Sequence, residues 1–437
     1  MNGWCLRVAN LAAVVLALSG VSVVAADESE EGERRHAKTL TVDCMSGDSL
    51  ARALARVEER KLTLIVIRNI CIESVTVDRS DVTLRGDPAS GGGISGPDPN
   101  VNTLTVTGDR VTIENLTVTG GRNGIVGLGA AGLTIRNAAV QSTGRNGIVY
   151  LNGSSGQVEG CNVRLNPRDG INVEAAQATI LNSTVESNGR FGVHVTNGGS
   201  ARIGLNNRNE GNHDGPTRTG NTIKNNGASG INVGFGSAAI IAVNDITGNG
   251  ADLSTTSGRN GIAVVQATAD IAGSNTISGN TGQGILARSS SVQLGNPNFN
   301  FSTTNTITNN GDAASPGGIF AFLGSAMLIR DAVINENKGP GLAFSTRSHG
   351  QLFSSAIQNN RTIGVCAPFP APPCNTGDAV RLIFGSGLLV SAPNTVVSGN
   401  AGWGLQCTDA ESSVVNTGLL SLSANALGGV SGSCTGF

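Results

Sequence analysis

Aromatic side chains are nearly missing from this chain. They make up 3% of 437 residues, with a single tyrosine, Tyr150, and two tryptophans, Trp4 and Trp403. Carbohydrate sites commonly use aromatic faces, so the scarcity leans away from catalysis on a sugar. Charge is scarce as well, at 14% with a net value of −2. That excludes the basic footprint of a nucleic-acid binder and gives no attraction to an anionic membrane. No segment beyond residue 26 is long and apolar enough to span a bilayer. No CxxC pair exists, which argues against zinc, and the acidic residues are too scattered for a calcium site. No metal or cofactor is expected.

What is present in excess is glycine, 62 residues. Low charge with abundant Gly, Asn, Ser and Thr could signal disorder. A regular supply of Ile, Val and Leu argues against it. A Gly-Ile motif recurs at Gly124, Gly147, Gly170, Gly192, Gly230, Gly261, Gly284, Gly318, Gly341, Gly364 and Gly404, with spacings of 23, 23, 22, 38, 31, 23, 34, 23, 23 and 40. A fixed period of this size means a stacked solenoid, in which each repeat buries its apolar edge only against its neighbours. The expected fold is an all-β stacked solenoid of roughly fourteen coils, on the order of 65 Å long at about 4.8 Å per coil.

The ends carry their own signals. Residues 1–26 read as a secretory signal peptide, with Arg7 before the apolar stretch Leu11–Val24 and small residues at Ala25-Ala26. Loss of Arg7 takes the net charge from −2 to −3. A secreted or periplasmic location follows as the expectation. Residues 27–39 read as a charged, disordered leader. Residues 49–60 carry Leu50, Leu54 and Val57 on one helical stripe, capped by Ser46 or Asp48, and would cover the open end of the first coil. The cysteines pair most naturally as Cys44–Cys71, Cys366–Cys374 and Cys407–Cys434, with Cys161 free and buried; connectivity is not provable from spacing.

Each coil is expected to hold three short strands. Asparagines such as Asn182, Asn221, Asn275, Asn305 and Asn394 recur in one row, and Asn188, Asn226, Asn249, Asn280, Asn310 and Asn400 in another. Asn tolerates left-handed corners, and in register its amides can bond coil to coil. Glycine is expected to serve corner conformations. Long spacings place insertions near 204–219, 250–258, 295–304 and 366–385.

Alternation orients the Gly-Ile strands. Ile171 and Val173 face inward, so Asn172 and Glu174 face outward. One coil on, His194 and Thr196 face outward, and then Asn232. Elsewhere this outer row reads apolar or small: Val126, Val149, Ala263, Leu286, Phe320, Ala343. Arg168, Asp169 and Arg190 flank the polar break. These residue types can neutralise a uronate and remove its C5 proton.

The repeat, with its Asn-x-Ile-x-x-Asn spacing and Gly-Ile strands, resembles right-handed parallel β-helix proteins of the pectin-lyase-like superfamily over about residues 40–437. Asn166-Pro167-Arg168-Asp169 is similar to the Asp-Pro-His-Asp motif of mannuronan C5-epimerases at Pro167 and Asp169. The set that marks polygalacturonases is missing; the nearest fragment is Ser348-His349-Gly350. The export signal, the intact repeat and the missing catalytic sets together point to a binding or structural module acting on polysaccharide, with Asn172, Thr196 and Asn232 contacting ligand. The alternative left open by the resemblance is a lyase or C5-epimerase, with His194 or Glu174 as base, Arg168 and Arg190 neutralising carboxylate, and Asp169 beside them.

Overall fold

The computed structural model describes residues 38–437 except 60, 205–219, 253–257, 298–303, 313–316, 363–375, 392–393, 417–419, 433 and 435–437. The signal segment, most of the leader, the Cys366–Cys374 pair and the bulk of the insertions therefore lie outside the described residues.

Every coil contributes one strand to each of three parallel sheets of 15, 14 and 14 strands. The first sheet starts at Lys38–Asp43, the second at Val75–Val77 and the third at Ile70–Ile72. The Gly-Ile strands form the second sheet. Ile125, Ile148, Ile171, Val193, Ile231, Ile262, Ile285, Ile319 and Leu342 stack in register and are fully buried. A one-residue slip would turn this column out to solvent, which fixes the register of the whole rod. Val380, not Val365, continues the column beyond Leu342; Gly364 lies outside the described residues.

Glycine does serve corners, with positive φ at Gly129, Gly153, Gly198 and Gly236, but the glycines of the Gly-Ile motif answer to space. Gly170 is not left-handed. A Cβ there would stand 2.5 Å from Val185 Cγ1, 2.7 Å from Asn188 Nδ2 and 2.8 Å from the Gly192 carbonyl oxygen. Left-handed geometry also falls just after many second-sheet strands, at Asn152, Ala175, Asn197, Phe235, Gln266 and Ser289.

The asparagines do bond coil to coil. Asn166, Asn188, Asn226, Asn249, Asn280, Asn310, Asn337, Asn360, Asn400 and Asn425 form one ladder, each Nδ2 donating to the next Oδ1 at 2.9–3.1 Å. A second runs Asn221–Asn244–Asn275–Asn305. Asn182 is not a rung. Its neighbour Ser183 takes that place, its N–H donating to Asn221 Oδ1, while Asn182 sits at a left-handed corner.

The N-terminal cap is shorter than its sequence stripe. The helix α1 is Leu50–Leu54, with Leu50, Leu54 and Val57 buried. Its N-cap is Ser49, neither Ser46 nor Asp48. Glu73 explains the shift: it accepts from Ser49 Oγ at 3.1 Å and from the N–H groups of Leu50 and Ala51 at 2.6 and 3.2 Å. The strand Lys38–Asp43 also claims Lys38 and Thr39 from the expected leader. Glu73→Ala should cost about 1 kcal/mol, the value of a charged cap on partly exposed donors. An unshifted urea midpoint would show the cap to be idle.

Disulfides join Cys44 to Cys71 and Cys407 to Cys434, one near each end. Cys161 is free and buried, and burial pushes its thiol up to about 11. No helix among the described residues is long and apolar enough to cross a membrane.

Candidate functional site

Four consecutive coils carry arginine two residues before the repeat glycine: Arg122, Arg145, Arg168 and Arg190. Backbone bonds stack the last three, Arg168 N–H to the Arg145 oxygen at 2.8 Å and Arg190 N–H to the Arg168 oxygen at 2.9 Å. Like charges one coil apart repel. Burial and the charges of Arg168 and Arg122 lower the pKa of Arg145, against the pull of Asp169 and Glu174. It stays protonated all the same, because arginine starts so high.

Arg145, Arg168 and Arg190 edge a groove of about 290 Å³ over the second sheet. Its lining includes Arg145, Arg168, Asp169, Asn172, Glu174, Arg190, His194 and Thr196. The strip is therefore one site, but not an open solvated face. Asn172, His194 and Thr196 are only 7%, 8% and 5% exposed. Alternation tells which way a side chain points and not how deep it sits. Asn232 lies beside His194 on the next strand, buried, and is not part of the lining. The outer row is also less apolar than it first reads: Arg381 and Gln406 follow Ala343 in register. Arg381 is tied to Asp378 at 2.6 Å and serves the coil.

Asp169 organises the groove. It stands where the preceding coils carry Asn123 and Asn146, which form a short ladder of their own. Asp169 N–H donates to Asn146 Oδ1 at 3.1 Å, and Asp169 Oδ1 accepts from Phe191 N–H at 3.3 Å. The second oxygen, Oδ2, lies 3.2 Å from His194 Nδ1. A carboxylate can only accept here, so Nδ1 carries the proton and Nε2 is left as the basic nitrogen. Arg190 adds an ion pair to Asp169 at 3.8 Å. Phe191 lies against the imidazole, ring centroids 4.8 Å apart, with the Arg190 guanidinium 4.4 Å above its own ring. The histidine is held in one orientation.

Glu174 is differently placed. It accepts from Asn197 Nδ2 at 2.9 Å and Asn172 Nδ2 at 3.4 Å, which occupies it as an acceptor. Three buried atoms at this site have no hydrogen-bond partner, Arg145 Nε, Arg190 Nε and Asn172 Oδ1, and Arg190 Nε is the atom that faces Asp169 Oδ1 at 3.8 Å.

Sequence reasoning missed Arg145, Asn146, Asn197 and Phe235 in the lining. The Arg-Asn-Gly-Ile form of the repeat was the signal for Arg145. A larger furrow, about 690 Å³, crosses the first sheet. Its lining is mainly hydroxyl, amide and alanine, with Arg202 and Asp270 as its charges, so the proton-transfer groups are gathered in the smaller groove. Among the described residues one metal-type cluster forms, Cys44, Cys71 and Glu73, and its sulfurs are bonded to each other.

The family model described as the right handed beta helix region matches residues 67–216 and 255–417. No curated protein matches the chain. Among solved structures, it is similar to a pectate lyase (12% identity, TM-score 0.42, 71% of this chain and 76% of that one). It is also similar to a periplasmic alginate epimerase (14% identity, TM-score 0.44, 90% and 83%). A third likeness is the A-module of a mannuronan C-5 epimerase from Azotobacter vinelandii (12% identity, TM-score 0.35, 87% and 91%). At these values no role is carried from those proteins to this chain.

Proposed function

We propose, from the premise that this chain belongs to the right-handed β-helix family, that it is an exported module binding an acidic polysaccharide in the groove around Asp169. The observation that carries this reading is the stack of Arg145, Arg168 and Arg190 along one groove. Like charges one coil apart repel, and a polymer with one carboxylate per sugar would relieve them. Two disulfides fit an oxidising compartment.

Titration calorimetry with polygalacturonate, alginate and dextran tests the reading. The uronans should bind and dextran should not. Arg145→Ala and Arg190→Ala should each weaken uronan binding about tenfold or more, as expected for a lost charged hydrogen bond. Equal affinity for dextran and the uronans would refute it.

The Asp169–His194 pair favours a second reading on the same ligand. A histidine held by a carboxylate through Nδ1 presents Nε2 as a general base. It would take the C5 proton of a uronate, leading to epimerisation or elimination. Deuterium uptake at C5, with the absorbance of unsaturated product, is the measurement. Exchange that persists in His194→Ala would remove His194 from that role.

A further inference from the structure

Phe235 sits where the fold gains nothing from it. It is the first residue after the strand Ile231–Gly234 and is left-handed, with φ of 53°. The equivalent corners of nearby coils carry Asn152, Ala175, Asn197, Gln266 and Ser289. A bulky side chain is a poor fit to this conformation. Burial does not compensate, because Phe235 is 57% exposed. Its backbone is tied on both sides, its N–H to the Val265 oxygen at 3.0 Å and its carbonyl to Gly198 N–H at 3.1 Å. The corner therefore cannot relax to suit the ring. Leu323 and Phe384 occupy equivalent corners with similar exposure, so what sets Phe235 apart is its place in the groove.

The same ring lines the groove with Arg145, Asp169, Glu174 and His194. It lies one coil beyond His194 and three beyond Arg145, about 14 Å further along the axis than the latter at 4.8 Å per coil. We infer that Phe235 is a stacking platform that fixes one sugar ring of the bound polysaccharide at the end of the groove and sets its register against the arginines. This rests on the acidic-polysaccharide reading above. The chemistry differs from the arginines' contribution. They read charge; the aromatic face reads the apolar C–H face of a ring, which is independent of charge. In a chain so poor in aromatics, one exposed ring in the groove supplies discrimination between sugar epimers that guanidinium groups alone lack.

The test measures binding of hexasaccharides of galacturonate, mannuronate and guluronate by calorimetry. It compares the full protein with Phe235→Asn, Phe235→Trp and Phe384→Ala. Asn is the residue the corner carries in other coils, so Phe235→Asn should be at least as stable thermally. It should bind about tenfold more weakly, and its preference among the three hexamers should narrow. Phe235→Trp should retain affinity. Phe384 is a matched control, also exposed and left-handed after a second-sheet strand but five coils further on; its loss should leave binding unchanged. If the full protein binds a hexamer and Phe235→Asn binds it equally well, the stacking role falls while the arginine groove stands. If the full protein binds none of the three, the groove reading falls and takes the stacking role with it.

Discussion

Asp169→Asn should leave the fold intact, tighten uronan binding several-fold and remove about three orders of magnitude from any C5 proton exchange. The three effects separate because Asp169 does three things. Its structural duty is that of a ladder asparagine, since Asn146 and Asn123 fill the same place one and two coils earlier. An amide oxygen can still accept from Phe191 N–H, so the melting temperature should hold. Its charge opposes Arg145, Arg168 and Arg190, and removing it frees Arg190 and leaves the groove more positive for an anionic polymer. Its hold on His194 Nδ1 sets the tautomer. An amide nitrogen turned toward the ring would donate, putting the proton on Nε2 and disabling the base. In a comparable carboxylate–histidine arrangement the wrong tautomer costs about 10⁴-fold. Nitrogen NMR of the imidazole, calorimetry and deuterium exchange read the three effects in one variant. Exchange at the native rate would mean that Asp169 does not orient a base, and weaker uronan binding would mean that the groove does not select by charge.

Asn280→Ala should destabilise the rod by about 3 kcal/mol and split its melting into two steps. Asn280 is the fifth of ten rungs and is 1% exposed. Its Oδ1 takes both the N–H and the Nδ2 of Asn249 at 3.0 Å, and its Nδ2 reaches the Ile246 oxygen at 3.1 Å and Asn310 Oδ1 at 2.9 Å. Alanine orphans the Asn249 N–H inside the core, where an unpaired donor costs about 1–3 kcal/mol, and leaves a void beside it. In a solenoid the loss falls on one interface between neighbours. The coils before and after should therefore uncouple. Asn425→Ala, at the last rung, should give a smaller loss and keep a single transition. A scanning-calorimetry trace for Asn280→Ala that matches the wild type would show the ladder to be decoration.

The period, the three strands per coil and the inward column were legible because each depends on side-chain spacing alone. Asn182 shares a sequence row with the rungs because a left-handed corner and a buried ladder both select asparagine, and only depth tells them apart. The capping helix looked twelve residues long from its stripe, yet Glu73, distant in sequence, sets where it begins. The polar break at Asn172 and His194 was visible from alternation. The grip of Asp169 on His194 was not, since it joins side chains on successive coils. Phe235 carried no signal at all, because a left-handed corner occupied by a bulky residue shows only in the backbone.

The asparagine ladder also gives the rod an electrical direction. Every rung donates toward the C-terminal coils, so the amide dipoles from Asn166 to Asn425 add head to tail and polarise one another. The electron-rich end of that chain is the Asn166 amide oxygen, which accepts from Thr143 N–H at 3.3 Å and Thr143 Oγ1 at 3.0 Å. Thr143 thus terminates the amide chain at its negative pole, supplying the donors that the first rung would otherwise lack.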